Sequence, residues 1–286
     1  MTRPVPGALL ALSWLAAAPL AAQTMREFSY ERGLRGERRL RAVIEFAAGS
    51  LLLRAAPRER LYGFSLRYDA DRFEPVGTFD PKGGEVRLGV ESTRRGGVRV
   101  GRKDALPQTA VVELAAEVPL SVDLSLGAAE SLVELGGLSL TDLSLKTGAS
   151  RTEVRFSTPT RGDCRNAFVA SGAGEVEIVG LGNSRCRYWR FDGGVGAVTV
   201  DLAGAWTADA RLVMEMALGG TTLVMPRERG RGIGVRIKVS GFLAGFEGSG
   251  FQKRDGAWYS PGYDRAGHKV DVQVTGALGG VKVEWK

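Results

Sequence analysis

The stretch PLSVDLSLGAAESLVELGGLSLTDLSLKTGASRTEVRF, residues 119–156, decides the fold of this chain. Alternating apolar residues run up to a glycine and cross a few small or polar positions. They resume as two branched or aromatic side chains separated by one polar residue. The unit recurs as GAAESLVEL from Gly127, GASRTEVRF from Gly148, GAGEVEIVG from Gly172, GVGAVTVDL from Gly194, GGTTLVMP from Gly219 and GGVKVEW from Gly279, with a fainter GSLLLR from Gly49. Between Gly127 and Gly219 the glycines return about every 21 to 25 residues, a period that marks stacked-repeat architectures.

Strand signals dominate the rest. Residues 42–46, 64–68, 86–90, 111–114, 120–126, 138–145, 210–216, 233–239 and 270–274 are short, β-branched or alternating runs separated by Gly, Pro, Asp or Ser. No apolar stripe of period 3.6 follows the first residues, so the class is all-β. Val133 and Leu135, Val154 and Phe156, Val176 and Ile178, Val198, Val200 and Leu202, and Leu223 and Met225 are expected to occupy matching positions of successive rungs and share one parity. Stacking such rungs about 4.8 Å apart turns them into continuous apolar columns, the core of a β-solenoid. One rung cannot bury its inner face alone, so the end rungs need caps against strand-on-strand association. Residues 24–118 repeat less regularly. Within them 79–92 reads as a hairpin or rung, and 92–108 as a polar, glycine-rich loop.

The chain opens MTRPVPGALLALSWLAAAPLAAQT, with Arg3 ahead of an apolar run from Gly7 to about Ala18 and small residues leading to Ala22 and Gln23. That is the layout of a signal peptide, residues 1–23, and it predicts an exported protein of the periplasm or extracellular surface. No later apolar run approaches the roughly 20 residues of a membrane-spanning helix. The formal net charge is +7. Arginines cluster at Arg35, Arg38, Arg39 and Arg41, at Arg94, Arg95, Arg99 and Arg102 beside Lys103, and at Arg227, Arg229 and Arg231. Such clusters are either solvated faces or contacts for acidic envelope polymers and membrane surfaces. Export argues against a nucleic-acid partner.

From 119 onward the GAGEVEIVG and GVGAVTVDL units and the Gly-Leu-Gly-Asn turn at 180–183 resemble the bacterial toast-rack proteins. The tail, GGTTLVMPRERGRGIGVRIKVSGFLAGFEGSGF followed by WYSPGYDRAGHKVDVQVTGALGGVKVEWK, is similar to the carboxy-terminal domain of LiaF-like, cell wall-active antibiotics response proteins. The resemblance implies a right-handed, single-stranded β-solenoid of the bacterial envelope, with 24–118 as the toast-rack amino-terminal β region and 119–286 as a LiaF-like solenoid domain. In some members that implies a damper of envelope-stress signalling. This chain lacks the amino-terminal transmembrane helices of LiaF itself.

Cys164 and Cys186 each stand eight residues before a rung glycine, Gly172 and Gly194. Equivalent positions of consecutive rungs fall inside the Cα separation a disulfide accepts, so the two are expected to be bonded, as a structural staple or a redox switch. The single histidine, His268, has no second histidine or cysteine ligand set around it, and its position at a strand start reads as structural. Glu153, Glu177 and Asp201 lie at outward positions, where a polysaccharide lyase would hold Ca²⁺ ligands beside a base and where any solenoid is polar. Phe251, Arg254, Trp258, Tyr259 and Tyr263, in a Gly- and Pro-rich insertion, form either a glycan or protein contact surface or the cap of the open solenoid end. No catalytic, cofactor or metal site is expected. The leading expectation is a non-catalytic interaction or scaffold module that binds an envelope protein or surface polymer. The alternatives are a lyase-like β-helix enzyme and a glycan-binding adhesin.

Overall fold

A computed structural model describes residues 24–93, 108–227, 232–242 and 244–286. Residues 1–23, expected to be a signal peptide, most of 92–108, expected to be a loop, and Arg94, Arg95, Arg99, Arg102, Lys103, Arg229 and Arg231 lie outside the described residues.

The described chain is all-β, with two short 3-10 turns. Seven long strands stack in parallel: β2 (Leu40–Ala55), β7 (Leu120–Glu134), β8 (Leu140–Arg155), β9 (Asn166–Val179), β10 (Tyr188–Asp201), β11 (Ala210–Met225) and β16 (His268–Trp285). They are the seven rungs that carry Gly49, Gly127, Gly148, Gly172, Gly194, Gly219 and Gly279. Each rung has two arms, because the buried parity changes at the glycine: Val122, Leu124 and Leu126 face inward before it, and Ala129, Ser131 and Val133 after it. Both arms therefore wrap one core.

Apolar columns run through that core. In the first arm Ile44, Leu124, Leu145, Val169, Phe191, Met214 and Val274 stack in register. In the second, Leu53, Val133, Val154, Ile178, Val200, Leu223 and Val283 do the same. All are buried, and each stabilises the stack by roughly 1.5–3 kcal/mol relative to exposure.

The inward parity expected for the second arm is the one observed, but its alignment between rungs is not. Val176 stacks on Thr152, and Ile178, not Val176, stacks on Val154. The glycines likewise form two columns. Gly127, Gly148, Gly172 and Gly194 occupy one, whereas Gly174, Gly196, Gly219 and Gly279 occupy a second, two residues further on. A shift of two residues preserves strand parity, so the repeat pattern alone does not expose it.

The return turns are tied by side chains as well as by rungs. In the Gly180–Asn183 turn, Gly180 has φ +73° and η1 (Leu181–Ser184) follows. The Asn183 amide donates to the Phe156 carbonyl at 2.9 Å, and its oxygen accepts from Ala205 N–H at 2.9 Å. One asparagine thus satisfies backbone groups of the turns before and after its own.

Both ends depart from a simple winding. On its outer side β2 pairs in parallel with two separate half-rungs, β5 (Glu85–Ser92) along the first arm and β6 (Thr109–Leu114) along the second. At the other end β16 lies between β11 and a split rung made of β12 (Ile233–Gly241) and β13 (Ala244–Glu247). The first and last full rungs are therefore each enclosed one layer inside the stack. Antiparallel strands finish the edges: β4 (Phe73–Asp80) on β5, β3 (Arg60–Asp69) with β1 (Met25–Gly33) beyond β6, and β15 (Ala257–Tyr259) with β14 (Gln252–Arg254) on β12. Reversed end strands, short ones at the β14–β15 end, blunt the template that a parallel edge offers to another chain. The 79–92 stretch is both things expected of it, the turn of the β4–β5 hairpin and half of a rung.

Candidate functional site

The aromatic insertion divides into two groups. Phe251 is buried, and its ring lies 5.6 Å from Phe246 and 6.1 Å from Trp285. Trp258 stacks on Phe246 at 4.5 Å. These rings close the last apolar layer. Arg254, Tyr259 and Tyr263 instead face outward: Tyr259 and Tyr263 meet edge to face at 4.9 Å, and the Arg254 guanidinium lies 4.3 Å over Tyr259. Arg236 donates to Asp271 at 2.6 Å and to the Tyr259 hydroxyl at 3.2 Å, and these bonds, Asp271 first, hold its guanidinium above the usual range. Burial, with Tyr259 adding, pushes the Tyr263 phenol up. The polar group is internally paired, and Arg254 also reaches Asp264 at 3.1 Å.

A larger surface lies on the outer face of the first arms. Ladder pairing stacks Arg41, Ser121, Asp142, Asn166, Tyr188 and Arg211 in one column, and Val43, Asp123, Ser144, Phe168, Arg190 and Val213 in the next. All of them except Val43, Arg211 and Val213 line a shallow groove of about 500 Å³ across five rungs. A second hollow of about 660 Å³ continues it at Glu45, Ser125, Lys146 and Ala170, beside the bend glycines. Arg190 is held by Asp192 at 2.9 Å and Glu215 at 3.2 Å, and Arg41 sits 3.6 Å from Asp123. Tyr188 stays 37% exposed, one of five large hydrophobic side chains so exposed among the described residues. Ser121, Asp142, Asn166 and Tyr188 each stand six residues before a rung glycine. The offset that pairs the cysteines would have found this column too.

The acidic positions do not converge. Glu153 and Glu177 are ladder partners, but Glu177 faces Thr199 on the next rung, so Asp201 sits two residues away along the strand. Arg155 occupies Glu153. Among the described residues no three His, Cys, Asp or Glu side chains are grouped to hold a metal. His268 lies 4.0 Å from Asp209 through Nδ1. Ser260, which lines the same hollow as His268, accepts from Val235 N–H through its hydroxyl oxygen at 2.9 Å.

Cys164 and Cys186 are joined by a disulfide, with Cα atoms 4.3 Å apart and both residues buried. They enter consecutive rungs just before β9 and β10. Reduction is expected to lower stability by about 3 kcal/mol, the entropy of a closed loop of this length, while keeping the β-sheet circular dichroism. Denaturant midpoints with and without reductant check this. Two titratable thiols in the exported, unreduced chain would overturn it.

The parallel rungs, enclosed ends and mixed polar outer face define a stacked-rung all-β protein with its polar grooves on the outside. The chain belongs to the toast-rack family: residues 22–179 match the family described as the N-terminal domain of toast_rack, DUF2154. That match runs through β9, across the continuous β2–β7 pairing. No curated protein matches the sequence. Among solved structures, the chain is similar to a "putative cell adhesion protein" of Clostridium sporogenes, with 14% identity, TM-score 0.49, and coverage of 92% of this chain and 100% of that one. It is also similar to a "putative adhesin" of Bacteroides fragilis, with 12% identity, TM-score 0.38, and coverage of 89% and 97%. Among the described residues no helix is long and apolar enough to cross a membrane.

Proposed function

We propose that this chain is a non-catalytic interaction module exported to the bacterial envelope, in the periplasm or at the surface. Its first-arm face holds an extended surface polymer. The observation that carries this reading is the column pair Asp142, Asn166, Tyr188 and Asp123, Phe168, Arg190: aromatic faces beside carboxylate, amide and guanidinium groups, repeated at rung spacing along an open groove. Ring faces stack on sugar CH groups, and flanking polar groups satisfy hydroxyls. The disulfide fits an oxidising compartment. The same reading takes the rungs to wind right-handed, residues 119–286 to form a LiaF-like domain, and binding to feed an envelope-stress response.

Titration of the purified chain against envelope polysaccharides is expected to show saturable binding, weakened at least about tenfold by the paired change Phe168→Ala and Tyr188→Ala, as loss of aromatic anchors entails. Polymer length should not change. Equal binding by the variant would exclude this face, and unsaturated sugar ends appearing in the mixture would establish a lyase instead.

A further inference from the structure

A different surface stands apart from that groove. Five large hydrophobic side chains are exposed among the described residues, and four of them fall on one corner of the stack: Val195 at 55%, Leu218 at 46%, Leu278 at 42% and Phe242 at 83%. Val195, Leu218 and Leu278 are consecutive ladder partners. Phe242 directly follows Gly241, whose partner is Gly276, so in rung register it stands level with Ala277, one position before Leu278, at the corner of the outermost rung. The equivalent position on the four preceding rungs is alanine: Ala48, Ala128, Ala149 and Ala173. The apolar ridge is thus confined to the C-terminal end.

We propose that this corner seats the protein on a lipid bilayer, with Phe242, Leu278, Leu218 and Val195 entering the boundary between headgroups and acyl chains. Three features select that occupant. The ridge is bordered by Gly196, Ala197, Gly219, Gly220, Gly279 and Gly280, so no polar side chain beside it need be desolvated, and a Cβ at Gly220 would meet nothing within 4 Å. The backbone of Val195, Leu218 and Leu278 is already paired between rungs, which lets that part of the ridge approach an apolar phase without orphaned polar groups. Four partly exposed side chains present only a few hundred Å², short of the roughly 800 Å² per partner that a stable protein dimer needs, whereas a bilayer requires no matching shape. The surrounding segment 232–286 carries eight Lys and Arg against five Asp and Glu. Exposed Lys238 lies on the first arm four residues before Phe242, a placement that suits anionic headgroups.

The exported chain, purified from the envelope fraction, is floated with vesicles of phosphatidylethanolamine and phosphatidylglycerol and, separately, of phosphatidylcholine. Wild type is expected to float with the first. Phe242→Ser with Leu278→Ser should cut the bound fraction at least about tenfold, with an unchanged thermal midpoint. Val195→Ser with Leu218→Ser provides a second, independent pair on the same ridge. Absence of flotation, flotation equal in wild type and both pairs, or a ridge-dependent dimer in sedimentation velocity each overturns the proposal. Polysaccharide binding through the first-arm face is expected to persist in these variants, which separates this surface from the groove.

Discussion

Ile178→Asp is expected to destabilise the protein by more than about 4 kcal/mol, enough to unfold most small domains, because it buries an unpaired carboxylate in the second-arm column between Val154 and Val200. Its neighbour is the control. Glu177 points outward and is exposed, so Glu177→Lys should move stability by no more than about 0.5 kcal/mol. Denaturant titration followed by circular dichroism measures both. Comparable losses at the two positions would show that the inward parity is assigned to the wrong residue. The defect should also spread, because each rung is stabilised mainly by its two neighbours and a disrupted central rung leaves both without a partner layer.

Gly219→Val is expected to cost a similar amount for a different reason. Gly219 has φ +140°, and a Cβ built there would lie 1.7 Å from the Gly196 carbonyl oxygen on the rung beneath. A β-branched residue is disfavoured by that conformation and has no room for its side chain, so strain and clash together should exceed about 4 kcal/mol. One residue further on the constraint vanishes. A Cβ at Gly220 meets nothing, and Gly220→Ala should be neutral or stabilise by about 0.4–1 kcal/mol through the unfolded chain. Thermal midpoints of the two variants check the pair. Tolerance of valine at 219 would mean that the second glycine column is not where the rungs touch.

Particular elements show how far local pattern reaches. The rungs from 120 to 225 were legible because alternation, a bend glycine and a return turn all fall within about 22 residues, and the cysteine offset follows from the same unit. The first arms of β9 and β10 were harder to see. Their outward positions hold Asn166, Phe168, Tyr188 and Arg190, which blur the polar-out alternation that identifies a half-buried strand. Those same residues make the groove, so the face proposed for polymer binding was hidden by its own mix of polar and aromatic outward residues. In the insertion, composition identified the aromatic residues but not that Phe251 and Trp258 turn inward on Phe246 while Tyr259 and Tyr263 turn outward on Arg236.

By itself the sequence determined the all-β class, the inward parity of the second arms, the corners and the disulfide, since each depends on side-chain alternation or glycine within one or two turns of the coil. Only the tertiary structure decided which rung lies on which. Gly49 and Gly219 meet the rung glycines Gly127 and Gly194 with a two-residue offset, and a strand shifted by two buries the same parity, so register was settled by corner contacts such as Gly219 against Gly196. The ends were decided the same way. β2, β5 and β6, like β12, β13 and β16, carry equivalent local patterns. Their order comes from pairing between residues as far apart as Arg41 and Ser121, which no local periodicity encodes. The exposed corner is a product of that order, because Phe242 joins Leu218 and Leu278 only once β16 has been inserted between β11 and β12.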